Sequence, residues 1–273
     1  MLEARTKVRL MHPQILGACL ELRDLAASLH PWRGRPIAIL ERPHERLMAA
    51  IFARSFTTYW SAVELASSGF GHQAAMLNRS LVEDMVDLHW ITIDSERAIT
   101  QFRDHELHSR MLTADAARES YGDMLDREQI PTFDENERKR LDDLFGPHGE
   151  RSWTGLNVHK RVAAIAPMWC DRRDALQFYR RVVHRDNNQL LHLSALAMQR
   201  VITSETDDSL HVKIGPQPIR IDQALIAAFW VFAQMLDLMI KVFDLPVREQ
   251  FERIYMGQMG VDSDGGDHSA GDR

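Results

Sequence analysis

FARSFTTYWSAVELASSGFGHQAAMLNRSLVEDMVDLHWI, residues 52–91, reads as two helices joined by a turn. Apolar side chains recur at intervals of three and four on both sides of GFG (69–71), and nothing in the stretch alternates as a half-buried strand would. GFGHQA (69–74) matches the dinucleotide pattern G-x-G-x-x-A, but that pattern needs a strand ahead of it to aim the pyrophosphate at the next helix. A long helix stands there instead, so the glycines make a helix-to-helix turn. The second helix carries Arg79 and Glu83 at i and i+4, the spacing of an ion pair that fixes one helix against a bundle. The hairpin is therefore expected over 43–92, with Phe52, Phe56, Leu65, Leu77, Leu81 and Val86 in its core.

Outward from this hairpin the helical period continues. It predicts further helices near 13–29, 95–121, 134–145, 158–166, 171–202, 221–243 and 246–256, hence an all-α bundle. Loops are expected at HPWRGRP (30–36), GPHGE (146–150) and GPQP (215–218), where proline and glycine interrupt the pattern. SLHVKIG (209–215) alternates well enough for part of one short β-hairpin near 205–220. The expected organisation is one helical domain over 1–258. The glycine-rich, acidic end, 259–273, has nothing apolar after Val261 and reads as a disordered tail.

The chain has 273 residues, 45% of them hydrophobic, enough for a sizeable core. A net charge of -6 supplies no global positive field, which excludes general DNA coating and leaves nucleic-acid contact to a local arginine patch. Only two cysteines occur, Cys19 and Cys170, too few for a thiolate zinc site and suited to a reducing compartment. MLEARTKVRLMHPQ lacks the apolar run of a signal peptide, so the cytoplasm is the expected location. ALIAAFWVFAQMLDLMIKVF (224–243) is membrane-like in length but contains Gln234, Asp237 and Lys241, and is expected as a helix buried in protein. No membrane partner is expected.

Several metal and phosphate motifs fail on physical grounds. GPHGERS (146–152) has the glycines of a phosphate loop but no lysine for the phosphates. A helical di-iron site needs Glu-x-x-His, and in ERPH (41–44) Pro43 prevents that turn. His105 and His108 share a helix face at metal-ligand spacing but sit among charges in RDHELHSR, so a solvated face is expected there. No metal or other cofactor is expected. RDNNQLLH (185–192) is different, because seven residues make nearly two helical turns and would put Arg185 and His192 on one face about 10 Å apart. Arg181, Asn188, Gln189 and Gln199 fall on that side, and Val183, Leu190, Leu193, Ala197 and Val201 on the other. A histidine can move the proton of a ribose 2'-hydroxyl and an arginine can hold the charge gathering on a phosphate, so the pair has the residue types of a metal-free ribonuclease.

The hairpin, the Trp-x-Gly of WTGLNVHKRVAAIA (153–166) and HRDNNQLLHLSALAM (184–198) together resemble a bacterial family of all-helical proteins similar to the HEPN superfamily. Arg185, Asp186 and His192 match the longest form of its arginine-to-histidine signature. The resemblance implies a homodimer whose motif helices face each other across an RNA cleft, and a toxin or antiphage effector that has an antitoxin or defence partner. Arg185 and His192 would be catalytic, with Arg181, Asp186, Asn188 and Gln189 binding substrate and Arg79–Glu83 serving as a structural pair. Two readings stay open: a metal-independent endoribonuclease, and a non-catalytic helical module that binds or regulates.

Overall fold

The hairpin closes on the turn that the glycines announce. In the computed structural model α3 spans Pro43–Ser67 and α4 spans Gly71–Ile93. Gly69 adopts φ +90°, and the backbone N–H of Phe70 reaches back to the Leu65 carbonyl at 2.9 Å, a left-handed helix ending that favours glycine. At Gly71 the constraint is space, since a Cβ would stand 2.3 Å from the carbonyl oxygen of Ile219. The structure describes residues 2–29, 42–121, 133–149, 151–167, 179–184, 202–206, 209–212, 215–216 and 219–259. Around the hairpin run α1 (Leu2–Met11), α2 (Pro13–Ser28), α5 (Ser95–Tyr121), α6 (Glu135–Phe145), α7 (Val158–Ile165), α8 (Ile221–Phe243) and α9 (Arg248–Met259). The protein is an all-α bundle, with one antiparallel ribbon of β1 (Ile202–Thr206) and β2 (Ser209–Val212) among the described residues.

Two compact units share these helices. The first comprises Met1–Pro36, Phe52–Met85 and Arg181–Arg273. Its centre is α8, an apolar helix that packs against α2 and α9. Phe232 stacks on Tyr59 with ring centroids 4.3 Å apart and on Phe52 at 5.4 Å, arrangements that add to plain burial. Polar side chains in this core find backbone acceptors: Tyr59 donates to the Cys19 carbonyl at 2.8 Å, and the Asn78 amide to the Ala224 carbonyl at 2.8 Å. By length and composition α8 could cross a membrane, but most of it is buried against protein. Its one buried carboxylate, Asp237, accepts from Lys241 at 2.8 Å and from Arg248 at the start of α9 at 2.6 Å.

The second unit comprises Ile37–Ile51 and Val86–Arg180. Here α6 packs on α5 through Met111, Leu141 and Phe145, flanked by Leu107 and Phe133. Arginines of α6 tie the two helices on the outside, Arg138 to Asp115 and Arg140 to Asp104. Asp134 caps α6 by accepting from the Glu137 N–H, and Asn157 caps α7 through the Lys160 N–H.

Several expectations change. An added helix, α1, precedes the first one expected, and Arg5 holds it by donating to Ser68 Oγ at 3.0 Å and Glu64 at 3.2 Å. Of the helix expected over 171–202, the described residues are Tyr179–His184, which form a π-helical turn, and Ile202, which opens a strand. The one short ribbon expected near 205–220 is present and spans 202–212, beginning three residues earlier. Phe56, Leu81 and Val86 are buried as expected, whereas Phe52, Leu65 and Leu77 are half-buried. The tail from 260 onward lies outside the described residues.

Candidate functional site

Arg185, Asp186, Asn188, Gln189 and His192 lie outside the described residues. What is described is the turn that leads into them. Tyr179 and Val183 are buried, and between them Arg181 points outward and is exposed. The turn ends on His184, whose Nε2 lies 3.0 Å from Glu83 Oε1 on α4. That same carboxylate oxygen accepts from Arg79 Nε at 3.2 Å, so the pair read from sequence is present and is joined by an imidazole from 101 residues away. The side chains of Arg79, Glu83 and His184 keep 27%, 36% and 16% of their surface open, so the cluster borders solvent. His184 Nδ1 has no hydrogen bond among the described residues and is not one of the buried polar atoms left without a partner.

Beside this cluster on α4, Asp84 is buried and is held by Arg54 and by Ser55 Oγ at 2.8 Å. Burial pushes its carboxyl above the ordinary range, and the two donors from α3 only partly offset that. Sequence reasoning did not single out Asp84, because its charge sits in a run of polar and apolar residues with no spacing signal.

The Trp-x-Gly element belongs to the second unit and has a definite task there. Trp153 donates through Nε1 to Asp87 Oδ2 at 2.8 Å, and Arg161 on α7 pairs with Asp87 Oδ1. All three residues are buried, and Gly155 takes φ +68° in the loop between them. Gln101 pins the same loop by donating to the Thr154 carbonyl at 3.1 Å while it accepts from Trp90 Nε1. Among the described residues Arg161 Nε has no hydrogen-bond partner, and the guanidinium is held there by one carboxylate. Neither Asp87 nor Arg161 was singled out from sequence, since each stands near other charges, Glu83 and Asp84 before the one and His159 and Lys160 before the other, and its partner is 74 residues away.

His105 and His108 do not form the solvated face expected of them. His108 is 1% exposed, bonds Asp142 Oδ1 through Nε2 at 3.1 Å and packs near Phe145. His105 meets the edge of Phe145, and burial, with the neighbouring His108, holds its imidazole below the usual histidine range. The two rings thus point to a packed aromatic and a carboxylate.

A family model matches residues 45–210, more than half of the chain, from the first turn of α3 to β2. It is that of DUF5677, a family of unknown function. The chain belongs to DUF5677. No curated protein and no solved structure matches the chain. The DUF5677 span holds Arg79, Glu83, Asp87, Trp153, Arg161 and His184, together with Arg185 and His192. It leaves out α1, α2, α8 and α9, which belong to the first unit.

Proposed function

We propose that this DUF5677 protein is a metal-independent endoribonuclease of the HEPN kind, which cleaves RNA by internal transesterification. Arg185 is its phosphate clamp and His192 a proton-transfer group, with Arg181, Asp186, Asn188 and Gln189 positioning the substrate. The observation that carries the reading is the anchored turn ahead of the motif: His184 is tied to Glu83, and Arg181 in the same turn stays exposed. A π-helical turn is rare and recurs at functional sites because it redirects side chains from the regular helical track. An exposed arginine suits phosphate, since its planar fork can hold two oxygens at once. Two copies are needed to build a cleft from one short motif, so the working form is a homodimer in a cytoplasmic, cofactor-free setting. As a toxin or defence effector it would be controlled by an antitoxin or defence partner.

The test is RNA cleavage in EDTA by the wild type, Arg185→Ala, Arg185→Lys and His192→Ala, each beside a melting curve. Both alanine variants should lose activity by roughly 10²- to 10⁴-fold with melting unchanged, and lysine should restore little. Cleavage that survives both alanine changes refutes the assignment. RNA bound with no cleavage by the wild type favours the second reading, a helical binding module in which the Arg79–Glu83–His184 cluster is only a tie.

A further inference from the structure

Transesterification of RNA needs two proton transfers, one from the attacking 2'-hydroxyl and one to the leaving 5'-oxygen. The motif supplies one histidine. We infer that His184, with Glu83 behind it, is the group that takes the proton from the 2'-hydroxyl, an inference that rests on the ribonuclease reading. Three features of the described residues carry it.

The first is the ring's orientation. With Glu83 at 3.0 Å from Nε2, the carboxylate holds the ring proton on that nitrogen and leaves Nδ1 as the acceptor. Nδ1 has no partner among the described residues. The second feature is what holds Glu83: Arg79 shares its Oε1, so the carboxylate is fixed from its own helix and the imidazole from the carboxylate. A base held in this way loses little freedom when substrate arrives. The third is access. His108 makes a similar bond to Asp142 but is buried, and the Asp87–Trp153–Arg161 network is buried on all three sides. His184 keeps an open edge, and Arg181, three residues earlier in the same turn, is exposed to meet a phosphate.

The step balances without any further reagent. His184 Nδ1 takes the 2'-hydroxyl proton, O2' bonds to phosphorus, the P–O5' bond breaks, and O5' takes a proton from the second group, the role left to His192. The products are a 2',3'-cyclic phosphate and a 5'-hydroxyl.

His184→Gln is the informative variant, because the glutamine amide can still donate to Glu83 but cannot transfer a proton. Cleavage of an oligoribonucleotide in EDTA should fall about 10²- to 10⁴-fold, with the melting curve and the affinity for the matching 2'-deoxy oligonucleotide unchanged. Glu83→Gln should also slow cleavage, though less, since its amide oxygen can keep both bonds that Glu83 Oε1 makes but carries no charge to stabilise the imidazolium that forms. Added imidazole should restore part of the rate to His184→Ala, which it cannot do for a residue that only supports the fold. If the wild type cleaves and His184→Gln cleaves as fast, the inference falls and the ribonuclease reading stands. Loss of rate together with a lower melting temperature and no rescue by imidazole also overturns it. If the wild type does not cleave RNA, the reading falls and takes the inference with it.

Discussion

Removing the positive charge from the buried Asp87–Arg161 pair gives a demanding test of the second unit. Arg161 is 4% exposed and Asp87 7%, so neither charge can turn to water when its partner is lost. Arg161→Leu should therefore cost about 3–5 kcal/mol, the usual penalty for stranding a buried charge. Trp153→Phe keeps the ring in place and removes only the Nε1–H bond to Asp87, so about 1.5–3 kcal/mol is expected, the range for a hydrogen bond to a charged group. The double variant Asp87→Leu/Arg161→Leu removes both charges and leaves the Trp153 N–H unpaired, a cost of about 1–3 kcal/mol. It should thus be more stable than Arg161→Leu alone, a sign opposite to simple addition. Urea unfolding followed by fluorescence, with the midpoint and slope fitted for each variant, measures these differences. A double variant less stable than Arg161→Leu would refute the reasoning, as would an Arg161→Leu midpoint equal to the wild type.

Acid sensitivity should trace in part to Asp237. Burial alone would raise its carboxyl, but the bonds from Lys241 and Arg248 win and hold it below the ordinary 3.8. A depressed carboxyl stabilises the fold above its unfolded value and loses that contribution as pH falls through the folded one. Asp237→Asn should therefore melt below the wild type at pH 7, and the gap should close below 3.8, as melting curves against pH will show. Cys19 is buried and its thiol is pushed up to about 12 by that burial, so alkylation of the peptide that carries it should require unfolding. Mass spectrometry that finds Cys19 modified in the folded protein at pH 8 would contradict this placement.

The hairpin was legible because its information is local. Apolar spacing gave α3 and α4 to within a residue of their ends, and the two glycines gave the turn. The apolar α8 was equally plain. By contrast α1 has a mixed and charged sequence, and its order depends on Arg5 meeting Ser68 and Glu64 far along the chain. The π turn at Tyr179–His184 was not legible because apolar periodicity does not distinguish a π turn from an α turn, and the strand opening at Ile202 meets the expected helix only at its last residue. The site followed the same division. Arg79–Glu83 lies within one helix and was read from its spacing, while His184 was passed over because its partner is 101 residues away and no period encodes that. Arg161 and Asp87 were missed for the same reason, as they are 74 residues apart.

The interleaving of the two units has a consequence during synthesis. Helix α8, on which Tyr59 and Phe52 stack and to which Asn78 donates, begins only at Ile221, after every residue of the second unit has been made. Translation at about 5–20 residues per second leaves the apolar faces of α2 and α3 without this cover for on the order of ten seconds after α3 has emerged. The nascent chain is therefore expected to rely on chaperones over that interval, and a fragment that ends before residue 221 should aggregate through its uncovered aromatic face.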